Sequence, residues 1–176
     1  RVIFVTIDTL RADHLQSYGY PRPTSPFMAS LAQKGVLFER AFSASSHTAP
    51  SHASMFTGVF PFQHNLLANG EHLNPEIQTI GRILKDRGYR TAAFCAVRFL
   101  EKLFSFDAVG DENRPMASIP ESEKGAKRKS RWYRNAREEV DRVIAWLGGV
   151  KSNESFFIWL HLYDVHQWKG KHHLPE

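Results

Sequence analysis

The stretch Ile77-Gln-Thr-Ile-Gly-Arg-Ile-Leu-Lys-Asp-Arg-Gly-Tyr-Arg-Thr-Ala-Ala-Phe-Cys-Ala-Val97 decides the fold. Ile77, Ile80, Ile83 and Leu84 recur at helical spacing and mark one apolar face, and Gly88 ends the helix. Arg90 to Val97 then reads as a buried strand, short and mostly apolar. Helix, glycine, strand is the αβ half of a crossover unit. The same order appears again downstream. Val140, Val143, Ile144 and Leu147 space as a helix with Glu138, Glu139, Asp141 and Arg142 on its wet side, Gly148-Gly149 ends it, and Phe156-Phe-Ile-Trp-Leu160 is a further central strand. Two such units predict an α/β chain, a three-layer sandwich around a mostly parallel sheet.

Toward the N-terminus, Val2-Ile-Phe-Val-Thr-Ile7 is a nearly unbroken β-branched and aromatic run, the pattern of a strand covered on both faces, and it ends at Asp8. In open α/β sheets ligands lie beyond the carboxyl ends of the strands, so Asp8 is a candidate for metal or substrate contact; capping the next turn is the equal alternative. Ser25-Pro26 opens a helix with Phe27, Met28 and Leu31 on one side and Gly35 at its end. Val36 to Phe42 follows with the partial alternation of a strand. Ser46-His-Thr-Ala-Pro-Ser-His-Ala-Ser-Met-Phe-Thr-Gly58 then announces both ends of a short helix, with Thr48 at or next to its N-cap. A helix N-terminus aimed into a cleft would hold an anionic oxygen and ease formation of the Thr48 alkoxide; a plain cap is the simpler reading. Val59 to Glu76 is loop-like. Residues 101–131 lack a steady period and read as an insertion or a border of the active site. His161-Leu-Tyr-Asp-Val-His166 again puts polar chemistry at a strand's carboxyl end.

Composition bounds the partners. With 176 residues and 42% hydrophobic content the chain can build one domain with a real core, and no apolar run approaches the roughly 20 residues that span a bilayer. No signal peptide precedes Val2, and the missing initiator Met leaves export open, so the compartment is undecided among periplasmic, extracellular and membrane-associated settings of a longer protein. Cys95 is alone in an apolar run, which excludes an internal disulfide and predicts burial. The net charge of +5 comes from a block between Lys124 and Arg137 without interleaved aromatic platforms, so it reads as a solvated insert and not as a nucleic-acid surface. The following helix can bury Trp132 and Tyr133. His47, His52, His64 and His72 lie in or near loops, where a surface or hydrogen-bonding role is the default.

Four stretches taken together, Thr6 to Gly19, Thr48 to Gly58, Gly88 to Ala93 and Phe156 to His166, resemble the N-terminal part of the sulfatase family, within the alkaline phosphatase superfamily of metal-dependent ester hydrolases. The resemblance implies an alkaline phosphatase-like fold, incomplete at the C-terminus, with residues 1–176 forming part of one catalytic domain. Asp8 matches the acid that binds the divalent metal. Thr48 matches the nucleophile heading the Cys/Ser-x-Pro-Ser-Arg motif, which also touches the metal. Ser51 and His52 match the last two motif positions, His52 standing for the Arg that orients the nucleophile. His166 matches the His of the Asp-Pro-His loop that contacts the ester, and Asp164 the acid of that loop. Arg11 is expected to pair with an acid near the metal.

Several departures from the family pattern bear on the chemistry. A Cys or Ser nucleophile becomes formylglycine in sulfatases; Thr48 cannot, since oxidising a secondary alcohol gives a ketone. It would have to attack as an alkoxide and form a covalent ester. The second acid of the usual Asp-Asp pair is Thr9, and the usual Lys and His after the Gly-Tyr-x-Thr strand fall on Ala96 and Arg98, leaving Arg98 as a candidate substrate contact. One or two divalent ions, Ca, Mn, Zn or Mg, are implied, but Asp8 and Thr48 supply too few ligands, and this polypeptide alone is expected not to complete the site. The implied activity is hydrolysis of a small-molecule, glycan or lipid sulfate or phosphate ester. A phosphodiesterase or a phosphoglycerol- or phosphoethanolamine-type transferase using the same Thr48, or a non-catalytic degenerate member, are the alternatives.

Overall fold

A computed structural model describes residues 1–97, 100, 104, 106, 108, 109 and 134–167. Its centre is a parallel sheet of β1 (Val2–Ile7), β2 (Arg90–Cys95), β3 (Ala108–Val109) and β4 (Phe156–Leu162), in the order β1-β4-β2-β3. Around it run α1 (Pro26–Lys34), α2 (Thr48–Thr57), α3 (Pro61–His64), α4 (Ile80–Asp86) and α5 (Ala136–Leu147).

The period of two along the strands sorts the core into two layers. Phe157 and Trp159 of β4 and Ala93 and Cys95 of β2 face α2, with Ala49, Ala53 and Phe56 packed on them and Leu84 of α4 at the margin. Phe156, Ile158 and Leu160, with Ala92 and Phe94, face the other way onto Val143, Trp146 and Leu147 of α5. The result is the α/β/α sandwich that the two helix-glycine-strand units predict. Phe56 anchors the first layer: its ring stacks on Phe104 at 4.6 Å and meets the edge of Trp159 at 4.7 Å. The helix ends follow their cap chemistry. Gly58 stops α2 in the left-handed region at φ +74 while its N–H bonds Ser54 O at 2.9 Å. Asn135 and Glu138 form a capping box at the start of α5.

Four expectations are corrected. β1 sits at the edge of the described sheet, and Val2, Ile3 and Val5 are about half exposed, so this run is not covered on both faces. Glu139 is not on a wet side: it is wholly buried and ion-paired with Arg142 at 2.7 Å and Arg134 at 3.3 Å, because it lies one turn before Val143 on the face that packs on the sheet. The stretch from 101 does not begin as an insertion. Phe104 and Phe106 are buried in the first core layer and 108–109 pair with β2. Most of the remaining positions up to 133 lie outside the described residues, among them Lys124 to Ser130, Trp132 and Tyr133.

The fourth correction falls in a separate compact unit, Thr9–Ser43. There Val36 to Phe42 forms no strand; Val36, Phe38 and Phe42 are exposed, and no strand partner is available within the unit. It is tied instead by side chains, with Tyr18 donating to Phe38 O at 2.9 Å and Gln16 and Ser25 exchanging bonds of 3.0 and 3.2 Å. Arg11 pairs with its neighbour Asp13 at 2.9 Å, both exposed.

Candidate active site

The parallel pairing of β1 and β4 brings their carboxyl ends side by side, with Thr6 opposite His161 and Ile7 opposite Leu162. Asp8 continues the ladder, its N–H donating to Leu162 O at 2.9 Å. From the other side α2 presents its first turn, with His47 at the N-cap and Thr48 as the first helical residue. The Thr48 hydroxyl donates to Asp8 Oδ2 at 3.0 Å across forty positions of sequence. The strand-ending carboxylate and the helix-heading hydroxyl therefore converge.

The first turn of α2 is held from both ends. Asn69 Oδ1 accepts from the Ala49 N–H at 2.8 Å, satisfying one of the donors a helix start leaves open. His52, one turn further on, bonds the Thr48 carbonyl through Nδ1 at 2.7 Å and Thr6 Oγ1 through Nε2 at 3.0 Å. Its ring thus reaches Thr48 through the main chain and not through the hydroxyl. Thr6 Oγ1 also receives the indole N–H of Trp159 at 3.0 Å and lies 3.1 Å from His161 Nδ1. His161 is fully buried, and its Nε2 has no hydrogen-bond partner among the described residues, lying 3.6 Å from Asp8 Oδ2. Burial is the main influence on both rings, pushing His52 down and His161 down to about 3, with the neighbouring His52 adding to the latter.

The remaining sequence candidates fall as follows. Ser51 is buried in α2. Asp164 and His166 are exposed on the turn leaving β4, and His166 stacks on buried Tyr163 at 4.3 Å. Arg98 and Trp168 lie outside the described residues. His64 is a structural histidine, buried between Ser54 Oγ and the Leu66 N–H. Sequence reasoning passed over Thr6, Trp159, His161 and Asn69. Alternation could have found the first three, since Thr6 shares a strand face with Asp8, and Trp159 with His161; nothing local signals Asn69. Among the described residues no three His, Cys, Asp or Glu side chains gather as a metal site, and no helix is long and apolar enough to cross a membrane.

The chain is thus an α/β protein with a helix start and a carboxylate meeting at the sheet's carboxyl edge, and solved structures share its fold. A phosphonate monoester hydrolase of Agrobacterium radiobacter superposes with a TM-score of 0.68 at 20% identity, over 94% of this chain and 41% of that one. A protein solved in complex with its substrate D-glucosamine-2-N,6-O-disulfate gives 0.71 at 21%, over 97% and 34%. The sulfatase family model matches residues 1–176, and the chain belongs to the sulfatase family. Among curated relatives, an ulvan-active sulfatase of Formosa agariphila is 31% identical over 50% of this chain and 18% of that protein. An N-acetylglucosamine-6-O-sulfatase of Bacteroides thetaiotaomicron is 26% identical over 60% and 19%. The match thus spans about a fifth of the curated relatives' length.

Proposed function

We propose that this site hydrolyses sulfate esters by attack from Thr48. The observation that carries the reading is the 3.0 Å bond from the Thr48 hydroxyl to Asp8 at the start of α2. Asp8 orients that hydroxyl and can take its proton, and the helix start favours the negative charge that then develops on Oγ1. Bond formation from Oγ1 to sulfur breaks the bond from sulfur to the ester oxygen, which leaves with its electron pair and takes the proton held by Asp8, and a threonine sulfate ester remains. Attack of water on sulfur then releases sulfate and restores Thr48. Formylglycine plays no part, because a threonine cannot be converted to it. His52 acts as a positioning residue, holding the Thr48 carbonyl, and the family resemblance gives His166, exposed on the turn after β4, the role of contacting the ester. Sulfatases acting on ulvan and on N-acetylglucosamine sulfate among the relatives favour a sulfated saccharide as substrate.

A carboxylate and a hydroxyl 3.0 Å apart suit a divalent cation, and Asp8 and Thr48 would hold it. When bound, such an ion lowers the cost of the alkoxide and screens the ester's charge. Two ligands are fewer than the four to six such an ion takes.

Phosphodiester hydrolysis or phosphoryl transfer is the second reading, favoured by Thr48 itself, which suits direct alkoxide attack better than the hydrate chemistry of sulfatases. Turnover of an aryl sulfate, a phosphate monoester and a phosphodiester by the full-length protein separates the two. Thr48→Ala is expected to lower kcat at least about a thousandfold on the preferred substrate. Equal turnover by that variant would remove Thr48 from the chemistry, and no turnover by the parent on any of the three would leave the non-catalytic reading.

A further inference from the structure

The nitrogen of His161 that has no hydrogen-bond partner among the described residues can be assigned its proton state from its surroundings. The Thr48 carbonyl only accepts, so His52 Nδ1, 2.7 Å away, must be the donor there. Neutral His52 then has a bare Nε2, which accepts the single hydroxyl proton of Thr6 at 3.0 Å. Thr6 Oγ1 already receives Trp159 Nε1–H, so its remaining lone pair is met by His161 Nδ1–H at 3.1 Å. With the proton on Nδ1, the lone pair of His161 Nε2 faces Asp8 Oδ2 at 3.6 Å. Two acceptors confront one another where the side chains of His161 and Asp8 are 0% and 8% exposed. A bare buried acceptor is costly unless something electropositive meets it.

We infer that Asp8 Oδ2 and His161 Nε2 are ligands of one divalent cation, with the Thr48 hydroxyl as a third. This rests on the reading that an ion sits at Asp8 and Thr48, and it adds a nitrogen ligand that neither the motif positions nor the family resemblance supplied. Ligand atoms about 2.1 Å from a shared ion lie roughly 3.0–3.4 Å apart at octahedral to tetrahedral angles. From Asp8 Oδ2, the 3.0 Å to Thr48 Oγ1 falls there, and the 3.6 Å to His161 Nε2 is slightly wider, so the histidine ring closes in by a few tenths of an ångström when the ion binds. Imidazole nitrogen selects zinc over calcium or magnesium, which prefer all-oxygen shells. The bond from Nδ1 to Thr6 is the outer contact that fixes the ring of a ligating histidine.

The test is metal binding and not turnover. Full-length protein, stripped with chelator, is titrated with Zn2+ and separately with Ca2+. His161→Asn keeps a donor toward Thr6 while removing the Nε2 position, and is expected to weaken Zn2+ binding about 100-fold or more with Ca2+ binding little changed. Unchanged Zn2+ affinity in a variant whose metal-free melting matches the parent would overturn the assignment. Should the variant not fold, crystals of the unaltered protein grown with Zn2+ decide: an anomalous peak within about 2.3 Å of His161 Nε2 and Asp8 supports it, and a peak bound by Asp8 but beyond about 3 Å from that nitrogen, or no peak there, refutes it. Zn2+ bound as inferred with full turnover by Thr48→Ala would sink the threonine mechanism alone.

Discussion

Thr6 carries more of the site's order than its place inside a hydrophobic strand suggests. One hydroxyl meets the Trp159 indole, the His52 ring and the His161 ring, each within 3.1 Å. Thr6→Val keeps the shape and removes every one of those bonds, leaving buried donors and acceptors bare. A loss of about 3 kcal/mol is expected in urea unfolding at unchanged slope, with Thr6→Ser recovering most of it. His64 gives a pH test well away from the inferred ligands. Burial lowers its pKa below the ordinary 6.5, and its Nδ1 accepts the Leu66 N–H, so the folded protein holds it neutral. Below about pH 6.5 the unfolded chain binds a proton that the folded chain refuses, so stability falls as pH drops through that region. Unfolding measured from pH 7 to 5 should show that slope, to which buried His52 and His161 add in the same direction, and His64→Gln should make it shallower without abolishing it.

Among the elements, α5 shows how a helix can follow its predicted course and still present an unexpected face. Its apolar spacing placed Val143 and Leu147 against the sheet as expected, but the same face also carries Glu139 inward. Burial raises the Glu139 pKa, and Arg142 and Arg134 oppose that shift. Removing the carboxylate leaves two guanidiniums, each about a fifth exposed, facing each other with no anion between them. Glu139→Ala should therefore cost about 3 kcal/mol, toward the lower end for a broken buried pair, as read from the unfolding midpoint. Asn135→Ala at the same helix's cap should cost only about 1 kcal/mol. A larger loss at Asn135 than at Glu139 would mean that the cap and not the ion cluster holds the element.

At the scale of the whole molecule, the sheet is clamped between two apolar layers, and Phe56 is the largest contributor from the helix that carries Thr48. Phe56→Ala should cost about 4 kcal/mol and lower Tm by roughly 10 °C, whereas Phe27→Ala, at a ring 79% exposed in the Thr9–Ser43 unit, should change stability by less than about 0.5 kcal/mol. What the chain's order of residues determined by itself was the set of local elements: the apolar runs of β1, β2 and β4, the helix of Thr48 between its cap and Gly58, the parallel sandwich, and Asp8 and Thr48 as the pair to watch. Those are readable because propensity, period and caps act within a few residues of one another. Only the tertiary structure decided that β1 lies at an edge of the described sheet, that Val36 to Phe42 forms no strand, that Glu139 turns inward, and that Thr6 and His161 stand behind Asp8. Each of these depends on which distant backbone lies alongside, and strand pairing brings together residues about 155 positions apart whose spacing along the chain carries no mark of the meeting.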